Sequence, residues 1–156
     1  MRVILCGAAA SGKTFLKDRL LKKGVRRVIS STTRPIREGE VDGEDYDFLS
    51  EKEFNTLKST GFFYETQEFN GWQYGTRRMD WHSGGLFIMT PGGIAQITRI
   101  ERKKCFIIYL DIDEDIRKLR LSKREDADSV ERRLKADEED FRDFTDYDLR
   151  VTNVDF

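Results

Sequence analysis

Short apolar runs separated by charged stretches of helical spacing set the organisation of this chain. The runs at residues 3–6, 28–29, 86–89 and 106–110 are too short for buried helices. They read as strands of a central sheet, joined by a weaker alternation at Leu149 and Val151. Between them the pattern turns helical. Phe15, Leu16 and Leu20 share a face, and Gly24 offers a stop. Ser50 and Glu53 form a capping-box pair ahead of Phe54 and Leu57, with Gly61 just beyond the end. Asp113 is placed to cap a helix carrying Ile116 and Leu119. Ser129 is placed to cap another, in which Val130, Leu134, Phe141 and Phe144 recur among charges. Strands alternating with helices predict an α/β fold, a mostly parallel sheet flanked by helices with ligands at the carboxyl ends of its strands. The stretch 32–81, rich in aromatics and glycines, is too long for one βα connection and predicts an inserted small α+β lobe.

Composition narrows the classes. At 156 residues the chain is most simply one domain, large enough to bury about two thirds of its unfolded surface. Its 28 Lys and Arg nearly cancel 29 Asp and Glu, so no global field draws it to nucleic acid or a membrane. No apolar run approaches the roughly 18 residues of a spanning helix, and the start passes directly into the first strand without a signal-peptide pattern. A cytoplasmic setting is expected. Cys6 and Cys105 sit in apolar runs without metal-ligand spacing, which predicts buried, reduced thiols.

The strongest chemical pattern is GAAASGKT, residues 7–14, which fits G-x-x-x-x-G-K-[ST] between the first strand and the first helix. Gly7 and Gly12 permit a tight turn. The N–H groups of the loop, through Ala10 and Ser11, and of the following helix then point at one anion. Lys13 is spaced to reach the β and γ phosphates of a nucleotide, and Thr14 supplies a hard hydroxyl ligand for a magnesium ion bridging them. A nucleoside triphosphate site follows. Farther on, Arg34 and Arg37 place two guanidinium forks in one loop, able to hold a terminal phosphate from two sides.

The segment SSTTRPIREGEVDGEDYDF, residues 30–48, resembles the monophosphate-binding signature of the guanylate kinase family. The resemblance continues through FFYETQEFNGWQYGT, residues 62–76, and returns in RLSKR and ERRL. It implies that Arg34 and Arg37 clamp the acceptor phosphate, joined by the hydroxyls of Tyr46 and Tyr74. It implies that Glu65 reads guanine, with Ser30 and Thr76 completing the base site and Glu40 holding an arginine in place. A carboxylate suits that task, because guanine presents N1–H and an exocyclic amine side by side whereas adenine presents a bare N1 acceptor. Arg120, Arg124 and Arg133 match arginines in and beside a lid, with EDADSVER as its flap, and Asn153 resembles a residue at the donor adenine.

The implied whole is a P-loop NTPase-type core, residues 1–31 and 82–156, with a lid at about 120–135 and a GMP-binding lobe over 32–81. The implied activity is magnesium-dependent transfer of the γ-phosphoryl of ATP to GMP or dGMP, directly and in line, by a monomer with no obligatory protein partner. Lys13, Arg34, Arg124 and Arg133 would stabilise the migrating group. Two alternatives stay open: a kinase of broader or different monophosphate specificity, and a non-catalytic module of the same family that binds phosphopeptides. Three local features depart from the family pattern. The cradle reads AAAS, Pro35 directly follows Arg34, and LFIMTPGG, residues 86–93, stands where the family has Asp-Ile-Asp, here Met89-Thr90-Pro91. The sequence ends at Phe156, so the resemblance is to a compact form without the usual C-terminal helix. Trp81 and His82 are assigned no chemistry.

Overall fold

A computed structural model describes residues 1–123, 129–153 and 155. In chain order the first elements are β1 (Arg2–Gly7), α1 (Lys13–Lys22), β2 (Ser31–Thr32), β3 (Asp47–Phe48), α2 (Glu51–Ser59), β4 (Phe63–Phe69) and β5 (Trp72–Arg77). There follow α3 (Arg78–Ser83), β6 (Gly85–Ile88), α4 (Pro91–Ile94), α5 (Arg99–Arg102), β7 (Cys105–Leu110), α6 (Glu114–Ser122), α7 (Val130–Phe141) and β8 (Leu149–Val151).

Four strands form a parallel sheet in the order β6-β1-β7-β8, with Ile4 opposite Phe87 on one side and Ile107 on the other. β1, β6 and β7 are largely apolar runs, covered on both faces, whereas the edge strand β8 exposes Leu149 and Arg150. Ile4, Cys6, Phe87 and Ile107 face a core completed by Trp81, Ile94 and Phe141. Leu5, Leu86, Ile108 and Leu110 face the other way, against Leu16, Leu20 and Ile116. Both cysteines are free and buried.

The second sheet, ordered β3-β2-β5-β4, is mixed: β2 and β3 run parallel while β5 is antiparallel to both β2 and β4. The β4–β5 hairpin turns at Asn70-Gly71, both at positive φ (54° and 80°), the conformation that a two-residue hairpin loop requires. Asn70 O accepts a hydrogen bond from Arg132 Nη2 of α7 at 3.3 Å. Ser50 caps α2 reciprocally with Glu53, as its spacing predicts. Phe54 of α2 stacks on Phe63 with ring centres 4.6 Å apart.

Two expectations are corrected. Residues 28–29 form no strand; Arg27 makes one isolated bridge to Leu86, and the strand appears at Ser31–Thr32 in the other sheet. The chain is already leaving the core there, since Ser30 O accepts a hydrogen bond from Asp47 N at 3.0 Å. Phe144 lies past the end of α7 and packs from the following loop against Tyr109 and Phe141.

Trp81, fully buried on α3, ties the two sheets together. It stacks on Tyr64 of β4 at 4.1 Å, meets Phe87 of β6 edge-on at 5.3 Å, and donates its indole N–H to Glu101 Oε1 at 2.9 Å. The Arg2 guanidinium covers its ring at 4.5 Å. Trp81→Ala is expected to cost about 3–5 kcal/mol in urea unfolding. A loss under about 1 kcal/mol would mean that the sheets are joined elsewhere.

Candidate active site

The cradle forms where β1 turns into α1. Gly7 admits no side chain: a Cβ there would lie 2.5 Å from Ser11 Oγ and 2.9 Å from Leu110 O. Ala10 and Gly12, at φ 60° and 97°, bracket Ser11 with the left-handed backbone that converges successive N–H groups on an anion. Lys13 Nζ donates to Gly7 O at 2.6 Å and Ala8 O at 2.9 Å, which folds the ammonium over the loop. Thr14 is exposed at the cleft wall.

One cleft of about 880 Å³ runs from this loop to the second sheet. At the far end Arg34 and Glu40 form a two-pronged ion pair, Nη2 to Oε1 at 2.7 Å and Nη1 to Oε2 at 3.0 Å. Glu40 Oε2 also accepts the Arg37 N–H at 2.8 Å, so one carboxylate sets both arginine positions. Burial opposes ionisation of Glu40, yet the hydrogen bonds from Arg34 and the Arg37 N–H hold its carboxyl below the usual range. Pro35, the departure beside Arg34, contributes its carbonyl as a further acceptor for Arg34 Nη1 at 2.8 Å. The guanidinium lies 5.4 Å from the centre of the Tyr46 ring, and burial pushes that phenol up to about 12. Arg37, Tyr74 and Ser30 also line the cleft.

Glu65 is 7 % exposed on β4. Its Oε1 accepts a hydrogen bond from Thr76 Oγ1 at 2.7 Å. Burial raises the Glu65 pKa, opposed by hydrogen bonds from Thr76. Thr76, 1 % exposed, reaches the cleft only through that carboxylate.

Arg120 and Arg133 approach the cradle from α6 and α7. Arg120 Nη1 donates to Ala10 O at 3.0 Å, and Arg133 is buried at the cleft wall. Arg124 lies outside the described residues. Asn153 is exposed beyond β8, where its Oδ1 accepts the Asp155 N–H at 3.0 Å, and it does not line the cleft.

Sequence reasoning missed Asp137. It lies one turn after Arg133 on α7, is 2 % exposed, and lines the cleft. Its Oδ2 accepts the Ala9 N–H at 3.0 Å and Arg117 Nη1 at 3.2 Å, which binds the helix to the cradle. Burial raises the Asp137 pKa against the pull of the Ala9 N–H and of Lys13, Arg117 and Arg133. The i, i+4 spacing of Arg133 and Asp137 was the available sign, but the apolar stripe at Val130 and Leu134 directed attention to the neighbouring face.

Residues 1–156 match the family profile described as guanylate kinase. The chain belongs to the guanylate kinase family. A guanylate kinase of Nostoc sp. is 32 % identical over 164 residues, covering 99 % of this chain and 82 % of the relative. One of Nitratidesulfovibrio vulgaris is 34 % identical, covering 98 % and 79 %. The crystal structure of guanylate kinase from Anaplasma phagocytophilum superposes with a TM-score of 0.77 at 23 % identity, over 98 % of this chain and 76 % of that one. That likeness shows the fold, a parallel sheet flanked by helices. Guanylate kinases are nucleoside monophosphate kinases, and ATP-dependent phosphorylation of GMP is the activity of the family.

The buried carboxylate of Glu65 makes stability depend on pH. Because burial raises the folded-state pKa of Glu65, the protonated carboxyl favours folding below the ordinary carboxylate range. That contribution is lost as pH rises through the raised value. Glu65→Gln removes the loss, so its urea midpoint should gain on the parent's across this window. Parallel curves would show that the carboxylate is not desolvated.

Proposed function

We propose that the cleft brings ATP at the cradle to GMP or dGMP at the Glu65 end, and that an acceptor phosphate oxygen attacks the γ-phosphorus in line, yielding ADP and GDP or dGDP. One observation carries this: the Lys13 loop and the buried Glu65, with the Arg34–Glu40 pair beside it, line a single continuous cleft. We take residues 1–31 and 82–156 as the core, 32–81 as the acceptor lobe, and about 120–135 as the lid.

On the donor side, Gly7, Ala10, Ser11 and Gly12 shape a backbone suited to the triphosphate, and Lys13 exchanges the carbonyls of Gly7 and Ala8 for β and γ oxygens. Among the described residues no group of three or more His, Cys, Asp or Glu is arranged to hold a metal ion. Thr14 is thus the protein ligand assigned to magnesium, an ion that keeps most of its waters and asks for few side chains. Held by Thr14, a magnesium ion would supply neutralisation of phosphate charge. Arg120, Arg124 and Arg133 supply further positive charge where the phosphoryl group passes.

On the acceptor side, Arg34 and Arg37 hold the phosphate with the Tyr46 and Tyr74 hydroxyls. Glu65, positioned by Thr76, accepts from N1–H and the exocyclic amine of guanine, with Ser30 at the base. Adenine would set its N1 lone pair against a buried anion, and a site of this kind rejects the wrong base by roughly four to five powers of ten. Among the described residues no helix is long and apolar enough to cross a membrane. We propose a cytoplasmic monomer acting on free nucleotides, without a nucleic-acid partner.

Steady-state assays with ATP, magnesium and GMP, dGMP, AMP, CMP or dTMP test the reading. GMP and dGMP should dominate; equal rates across the panel would overturn the role of Glu65. Absence of ADP formation with every acceptor would favour a phosphopeptide-binding module. Lys13→Ala is expected to lower kcat by about a hundredfold or more with little change in the KM for GMP. Arg37→Ala should chiefly raise that KM by about tenfold or more; the reverse pattern would exchange the two sites.

A further inference from the structure

Asp137 sets a negative charge inside the cation cluster of the cleft. Its Oδ2 is held from two sides, by the Ala9 N–H at 3.0 Å and by Arg117 Nη1 at 3.2 Å. Both donors are N–H groups and one is a guanidinium, the pattern that suits an ionised acceptor. Its Oδ1 is buried and has no hydrogen-bond partner among the described residues. The side chain is 2 % exposed, yet it lines the same cleft as Gly7, Lys13 and Arg133. Asp140, one turn farther along α7, does not line it.

The charges of Lys13 and Arg133 act on this carboxylate through space. Neither donates to Oδ1, and Lys13 Nζ is turned to Gly7 O and Ala8 O. Both cations can therefore turn to an incoming phosphate without breaking a hydrogen bond at Oδ1, while the carboxylate stays where Ala9 and Arg117 hold it. An anion that remains in place works against a second anion bound beside it. Cations alone would grip substrate and product phosphates alike, and a uniform grip does not raise kcat.

We propose that Asp137 is a positioning residue that serves as the resident counter-charge of the cradle, fixing its Ala9 limb and restraining the hold of Lys13 and Arg133 on nucleotide phosphates so that ADP is released. The inference rests on the assignment of ATP to the cradle. A carboxylate at this place has two separable actions. As a hydrogen-bond acceptor it shapes the loop and favours binding; as a charge it opposes binding. A purely structural Asp137 would have only the first, so its replacement would leave nucleotide affinity unchanged or weaker. The counter-charge gives the opposite sign. Arg117 keeps Ile112 O as an acceptor at 3.1 Å when the carboxylate is replaced.

The test is the dissociation constant of ADP, measured by calorimetry without magnesium, for the wild-type chain and for Asp137→Asn, which keeps an oxygen for the Ala9 N–H and removes the charge. Asp137→Asn should bind ADP about fivefold more tightly or better. ADP should leave it more slowly by a similar factor, read by stopped flow. Affinity for GMP alone, at the far end of the cleft, should stay within about twofold. Asp137→Ala, a second uncharged variant, should tighten ADP binding as well, though less, because the loop also loses its acceptor. Should Asp137→Asn not fold, Asp137→Ala decides by the same sign. Unchanged or weaker ADP binding in Asp137→Asn would overturn the proposal and leave Asp137 a scaffold, as would an equal tightening for GMP. If the wild-type chain binds no ADP, the donor assignment falls and this role with it; wild-type binding without tightening in the variant sinks the counter-charge alone.

Discussion

A cleft that gathers Lys13, Arg34, Arg37, Arg120 and Arg133 must counter its own repulsion, and that constraint explains most of its architecture. The answer is a set of oxygens matched to the cations. Gly7 and Ala8 carbonyls take Lys13, Ala10 O takes Arg120, and Glu40 takes Arg34 through both oxygens. Asp137 places a carboxylate among Lys13, Arg117 and Arg133 and joins it to the cradle backbone. Each pairing fixes direction as well as charge, so these groups are aimed before any ligand arrives.

The Glu65 end follows the opposite rule. Glu65 is buried without an ion-pair partner among the described residues, supported by the Thr76 hydroxyl and flanked by glycine. A cation at its side would make it easier to ionise; without one, the carboxylate is left to seek neutral donors. The two ends of one cleft therefore differ in how charge is balanced.

How much of this could be read from the sequence depended on the range of the interaction. The cradle was legible because residues 7–14 carry its turn, its lysine and its hydroxyl within one short stretch. The Ser50–Glu53 cap and the strands at residues 3–6, 86–89 and 106–110 were legible for the same reason. The resemblance at residues 30–48 supplied Arg34, Arg37 and Glu40, but only the fold showed that Glu40 serves both arginine positions. Residues 28–29 misled because the backbone at Ser30 is claimed by Asp47 from a strand far along the chain. Asp137 was hidden by distance, since its partner Ala9 lies 128 positions away.

The hairpin turn at Asn70-Gly71 touches Arg132 at the beginning of α7, and a Cβ on Gly71 would come within 3.3 Å of that guanidinium. The tip of the second sheet is thus latched to the helix that carries Arg133 and Asp137. Any outward swing of the hairpin breaks this contact, so widening the mouth of the cleft on that side gives up a hydrogen bond that joins its two walls.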